Sequence, residues 1–352
     1  MDIAGYIESM PKAELNISLE GAVRAEAWLM VAEQNEIMVE ARKPYIATRD
    51  LLEKRDTNRL DELVQGVCGW LRYPDDLARI VYDAGLTLSK QNVKYAEISV
   101  NPSLFMPGNM TFDTFMTALN DGRDRAQRGW GIIIRWNLVV SREEPRRADE
   151  VMRMASSAAG KKHHIVGYGL TGREDAQPIG QFERAFQTAE KKNVPTFTRS
   201  GEIAGAEAID EVLAHLAPDR IVDAVGLLDS PAAIAAIIEQ DIAVIATPSR
   251  AKALKKLNES GSYPLRALLD RHLALTLSAD LPEIFGQNTT DVYLQAARDA
   301  DLTMDEIDQL VLNGLQYSFL DEPTKAELSA MFLNEISQLR KAMEQGESPA
   351  ES

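Results

Sequence analysis

Short, β-rich apolar runs recur along the chain. They lie at residues 14–18 (ELNIS), 95–100 (YAEISV), 132–140 (IIIRWNLVV), 165–169 (IVGYG), 195–198 (PTFT), 220–224 (RIVDA), 242–246 (IAVIA) and 273–278 (LALTLS). Bounded apolar runs of this kind fit strands covered on both faces. Between them, apolar positions fall three and four apart. Residues 22–40 carry a stripe through Val23, Ala27, Met30 and Val31, and 113–128, 147–159, 179–192, 205–216 and 231–239 read the same way. Pro145, Pro178 and Pro231 sit near the starts of such stretches, where a missing N–H costs little. From the fourth run on, strand starts fall at 165, 195, 220, 242 and 273, so each gap holds one strand–helix unit.

Eight β/α units in series predict an α/β fold, a (β/α)8 TIM barrel with helices outside. The interval between the first two runs exceeds one unit. It predicts a helical insertion around residues 41–92, with one helix near 58–71. Helices at 304–317 and 324–343 follow the last strand. No linker or repeat interrupts residues 1–345, which read as a single domain, and 346–352 read as a disordered tail.

Charge narrows the partners. The 352 residues hold 38 Lys and Arg against 54 Asp and Glu, a net charge of −16. That balance argues against nucleic acid or an anionic membrane surface. One Cys excludes an internal disulfide and a Cys-rich metal cluster, and four His limit any metal site. No basic segment leads into an apolar stretch at the start, and no run is long enough to span a bilayer. A cytoplasmic protein is expected.

In such barrels, chemistry sits where strands end. The first run leads into Asn16-Ile17-Ser18-Leu19-Glu20-Gly21, the fourth into Gly169-Leu170-Thr171-Gly172, and the fifth into Thr198-Arg199-Ser200-Gly201-Glu202. The sixth carries Asp223, the seventh leads into Thr247-Pro248-Ser249, and the eighth into Ser278-Ala279-Asp280-Leu281-Pro282. At these positions the chain resembles the adenosine deaminase family of the amidohydrolase superfamily. PKAELNISLEG is similar to P-K-A-E-L-H-x-H-L-D/E-G, VGYGLTG to V-G-x-D-L-x-G, TRSGE to H-A-G-E, RIVDAV to R-I-G-H-G, ATPSRAKAL to C-P-x-S-N, and LTLSADLP to L-x-T-D-D-P. LTMDEIDQLVLNGLQYSFL resembles the family's closing helix. The segments occur in order over nearly the whole chain.

The resemblance implies a zinc-dependent deaminase barrel, but the matching positions depart from it. The family's zinc-binding positions hold Asn16, Ser18, Arg199 and Asp280 here, so one ligand of four remains. Asp223 stands for the His that helps activate water, and Leu281 for an acid that contacts the purine. Glu20 matches a ribose-contacting acid, Gly172 a close approach to substrate, and Glu202 the catalytic proton donor.

Asn16 and Ser18 are two apart on a strand, so they share a face. An amide and a hydroxyl do not replace two imidazoles on Zn²⁺. They are expected to line a polar pocket. Arg199 does not ligate metal. It is expected to act as an internal cation paired with Asp280 and Asp223, because several carboxylates in one cleft would otherwise repel. No metal and no cofactor are expected.

The leading expectation is a deaminase-like barrel with a degenerate zinc site that binds a small polar or nucleoside-like molecule. The alternatives are a metal-independent hydrolase or acid/base enzyme using Glu202 and Asp223 with Arg199, and a deaminase with atypical metal ligands. An all-oxygen set of Asn16, Ser18, Asp223, Glu202 and Asp280 suits Mg²⁺, Mn²⁺ or Ca²⁺, but Arg199 argues against it. A homo-oligomer is compatible with either reading. His163, His164, His215 and His272 fall outside the motifs, and the first two are expected on the surface. Cys68 reads as a small core residue, Trp28 and Trp70 as helix packing, and Arg250, Lys252, Lys255 and Lys256 as a basic run.

Overall fold

A computed structural model describes residues 2–106, 110–255, 257 and 261–345. Eight parallel strands run in sequence order: β1 (Lys12–Ser18), β2 (Val93–Val100), β3 (Ile133–Ser141), β4 (Ile165–Thr171), β5 (Thr196–Ser200), β6 (Arg220–Asp223), β7 (Ala243–Ala246) and β8 (Leu275–Leu277). Each pairs with the next in parallel register, for example Arg199 opposite Val222 across β5 and β6. The last gap is bridged where the backbone N–H of Ser18 donates to the Asp280 carbonyl at 3.0 Å and the Ser278 hydroxyl donates to the Asn16 carbonyl at 3.0 Å. The result is a nearly closed (β/α)8 barrel. The expected strand order holds, and the strand ends differ from the expectation by a few residues.

The helices are more broken than the apolar stripe suggests. Residues 22–40 form Ala25–Gln34 and Ile37–Glu40, separated at Glu36, whose φ of 52° is left-handed. Residues 147–159 divide into Ala148–Ser156 and Ala158–Lys162. There Ser157 donates to the Met154 carbonyl and accepts from the Gly160 N–H, which substitutes side-chain bonds for helical ones. His163 is buried rather than on the surface. Its ring bonds Asp113 and Asn120, each at 3.0 Å. His164 beside it is exposed. Lys256 and the tail 346–352 lie outside the described residues.

Helices Arg42–Lys54, Leu60–Cys68 and Pro74–Ser89 fill the interval between β1 and β2. Cys68, Trp28 and Trp70 are buried among them. Helix Pro74–Ser89 packs closely on Phe112–Trp130 because Gly122 lets the backbones approach. A Cβ at Gly122 would lie 2.3 Å from the Ala78 carbonyl oxygen. Backbone cannot yield as a side-chain tip can. Gly122→Ala is therefore expected to destabilise the fold by about 1–3 kcal/mol in urea denaturation, despite Ala's better helix propensity. An unchanged or raised midpoint would show that the helix pair slides freely.

At the amino end of the barrel, Glu97 and Arg220 form an ion pair with both side chains at most 1% exposed. Glu97 also accepts from the Tyr95 hydroxyl at 2.9 Å, the Asn137 amide at 3.1 Å and the Phe319 N–H at 2.7 Å. The Arg220 guanidinium lies 3.3 Å from the Phe319 ring centre. This is a structural cluster, at the opposite end from the site below.

Candidate functional site

β5 delivers Arg199 into the barrel mouth, where the guanidinium meets two strand ends. Nη1 donates to Asp223 Oδ2 at 2.6 Å and Nη2 to Asp280 Oδ1 at 2.9 Å. All three side chains are at most 5% exposed. Asp223 and Asp280 reach inward from left-handed backbone, with φ of 79° and 59°. Such backbone is costly for residues with a Cβ and persists only where surrounding packing holds it. The Thr247 hydroxyl donates to the Asp223 carboxylate, and the Tyr263 hydroxyl donates to its carbonyl. The Asn16 amide donates to Asp280 Oδ1 at 3.3 Å.

A second arginine completes the cluster. Arg250 follows β7 on the short helix Pro248–Ala253. Its Nε and Nη2 grip Glu202 at 2.8 and 3.2 Å, and Nη1 reaches Asp280 Oδ2 at 3.2 Å. Asp280 is thus shared by two guanidiniums and an amide. Glu202 is turned onto Arg250. Two cations face three carboxylates, which leaves an excess of one negative charge if all ionise.

Burial pushes Asp223 up to about 6; Arg199 opposes the rise and the Glu202 charge adds to it. Burial works against the Arg199 charge, but Asp223, Asp280 and Glu202 hold it above its ordinary range. Glu20, at the rim, is pushed up to about 7 by burial. Among the described residues, no three His, Cys, Asp or Glu side chains are arranged to share a metal ion.

Two clefts flank this cluster. One of about 320 Å³ is lined by Glu20, Arg24, Trp28, Leu63, Val67 and Glu283, among others. The other, about 380 Å³, includes Arg59, Leu60, Glu62, Arg173, Glu202 and Arg250. Helix Leu60–Cys68 contributes to both.

The sequence-nominated residues therefore divide. Arg199, Asp223, Asp280, Asn16 and Glu202 converge, and Glu20 lines the adjoining cleft. Ser18 is half-buried at the end of β1, tied to Asp280 through its backbone. Leu281 is buried against Gly21, where a Cβ would lie 2.3 Å from its Cδ2. Gly172, with φ of 84°, faces Ser141 and Glu143 of the same chain. Arg250 was read as part of a basic run and of a loop after the seventh strand, Thr247-Pro248-Ser249-Arg250, able to bind an anionic group, and not as a partner of Glu202 and Asp280. The signal for it was the acid excess itself, read together with a position one turn past the seventh strand. Arg142, Glu174 and Tyr263 carried no motif.

Glu14, beneath the cluster on β1, was also missed. Its Oε1 accepts from the Ala279 N–H at 3.1 Å and the Thr289 hydroxyl at 2.7 Å, while Oε2 has no hydrogen-bond partner among the described residues. Burial pushes it up to about 7. A carboxyl raised in the folded state binds its proton more tightly than in the unfolded chain. Its contribution is complete below the ordinary range near 4.5 and is lost as pH rises through 7. The loss is about 3 kcal/mol between pH 4.5 and 8. Glu14→Gln cannot titrate, so the gap in unfolding free energy between it and wild type is expected to shift in the variant's favour by that amount. Parallel stability curves would place the Glu14 titration elsewhere.

Comparison with known proteins agrees with this architecture. The family model described as adenosine deaminase matches residues 11–334. An aminodeoxyfutalosine deaminase of Streptomyces avermitilis is 26% identical over 330 residues, covering 94% of this chain and 92% of its own. An adenine deaminase of Vibrio parahaemolyticus is 26% identical over 329 residues, covering 92% of this chain and 95% of its own. Among solved structures, a Burkholderia ambifaria amidohydrolase with bound zinc superposes with a TM-score of 0.86 at 22% identity, covering 98% of this chain and 96% of its own.

Proposed function

Since the chain belongs to the adenosine deaminase family, we propose that it is a deaminase-like barrel that binds a small nucleoside-like molecule and does not carry out zinc-dependent deamination. The observation that carries this reading is Arg199 bridging Asp223 and Asp280. Zinc takes imidazole, thiolate and carboxylate donors in a tetrahedral set. Arg199, Asn16 and Ser18 supply a guanidinium, an amide and a hydroxyl instead, and Asp280 is already engaged by two guanidiniums. These residues do not fit the ion.

What the chain's own groups do follows from their pairing. Arg199 and Arg250 neutralise the carboxylates that face the mouth. Arg250 holds Glu202 in a two-bond ion pair, which turns that carboxylate away from a proton-donor role. Burial pushes Glu20 up to about 7, so near neutral pH it offers either a hydroxyl donor or a carboxylate acceptor to a ligand's polar edge. The 320 Å³ cleft beside it, with Trp28, Leu63 and Val67, suits a ring with polar substituents.

The test is metal analysis of purified protein beside ammonia release from adenine, adenosine and aminodeoxyfutalosine, with binding followed by calorimetry. The expected result is zinc well below one equivalent, no ammonia, and saturable binding of a nucleoside. Stoichiometric zinc with ammonia release overturns the reading. Turnover unaffected by chelators and abolished by Glu202→Gln would instead establish the metal-independent acid/base enzyme.

A further inference from the structure

Glu174 lies in the loop after β4, 6% exposed. Its carboxylate accepts three successive backbone N–H groups of the next strand's loop: Glu202 at 2.7 Å, Ile203 at 3.2 Å and Ala204 at 3.1 Å. Consecutive N–H groups converging in this way make an anion-binding nest, and here the protein fills the nest itself. The same loop is braced from behind. Arg142, 3% exposed, donates to the Glu174 carbonyl at 3.1 Å and to the Arg199 carbonyl at 3.2 Å. Gly201 allows the chain to turn into the nest. Its φ is 89°, and a Cβ there would lie 2.6 Å from Ile209 and 3.3 Å from the Ala224 Cα.

We infer that Glu174 is the positioning residue of the site: by gathering the N–H groups of residues 202–204 onto one carboxylate, it sets where the Glu202 side chain meets Arg250. The inference rests on the reading that the mouth around Glu202 receives a ligand. Without Glu174, three successive part-buried N–H groups lose the acceptor they share, and each lost bond weakens the loop. The loop then has no reason to hold its path, and Glu202 no fixed approach to Arg250. Substitution at Glu174 therefore acts on the site through Glu202, although Glu174 itself lines neither cleft.

A small carboxylate can replace the missing one. In Glu174→Ala, formate is expected to enter the nest and recover at least half of the lost thermal midpoint. Chloride at equal ionic strength is expected to do nothing, and wild type to respond to neither. Equal recovery by chloride and formate, or none, overturns the brace. Should Glu174→Ala not fold, the comparison is made by refolding it in each salt.

Glu174→Gln, which keeps the shape and one acceptor, enters a double-mutant cycle with Glu202→Gln. Its loss of midpoint is expected to shrink in the Glu202→Gln background. Its weakening of adenosine binding, about tenfold, is expected to vanish there. Additive losses overturn the claim that Glu174 works through Glu202. Formate recovery and a coupled midpoint in a protein that binds no adenosine would leave the brace standing and remove only the nucleoside reading.

Discussion

Arg199→Met is expected to lower folding stability by about 3–5 kcal/mol, read by urea unfolding at pH 7. The substitution keeps an unbranched chain in place and removes the charge. Among the described residues, Asp223 then retains the Thr247 hydroxyl and a distant Arg250 contact at 3.9 Å, and Asp280 retains Asn16 and Arg250. Breaking one side of a buried ion network costs more than replacing the whole network with matched uncharged groups. Arg199→Met combined with Asp223→Asn and Asp280→Asn should therefore regain most of the loss. The deficit of the single variant is also expected to narrow at acid pH. Without Arg199 the Asp223 pKa rises further above about 6, so protonation relieves the uncompensated charge as pH falls. A single variant within about 1 kcal/mol of wild type would mean that the carboxylates find water or other partners, and the internal cation would lose its structural role.

Arg220→Met is expected to cost a similar amount, about 3–5 kcal/mol, but with a different functional consequence. Glu97 would keep three donors and lose its only cation among the described residues, in a place with no exposed surface. The stacking of the guanidinium on Phe319 would go as well, adding to the loss. This cluster lies at the opposite end of the barrel from Arg199. Calorimetric titration below the unfolding range should find nucleoside affinity kept in Arg220→Met and lost in Arg199→Met. Equal loss in both would show that binding follows global stability and not the chemistry of the mouth.

The contrast between these arginines shows what the sequence made legible. All eight strands were readable, because each is a short run buried on both faces between helical stretches. The site was readable where a motif fixes a strand end. Arg199, Asp223 and Asp280 were placed together by the family motifs whose positions they occupy and paired by the excess of acid. Arg250 and Glu174 were not, since each acts across a loop whose path depends on tertiary contacts. Glu174 meets backbone N–H groups, which no residue pattern announces. The helix breaks at Glu36 and Ser157 were hidden for a related reason: an apolar stripe reports which face is buried and is silent about a single residue leaving helical geometry. Leu281 and Gly172 were nominated as facing a ligand, but each is packed against its own chain.

The left-handed backbone at Asp223 and Asp280 bears on binding thermodynamics. Each residue is held in a conformation disfavoured for side chains, and each is pinned by an arginine that also spans to a neighbouring strand end. The cost of bending the chain there falls on the folding reaction. A molecule entering the mouth meets dipoles and charges already oriented, so little ordering entropy is charged against its affinity. Recognition at this mouth should accordingly behave as entry into a rigid receptor, with a binding heat that reflects desolvation and contact more than rearrangement of the protein.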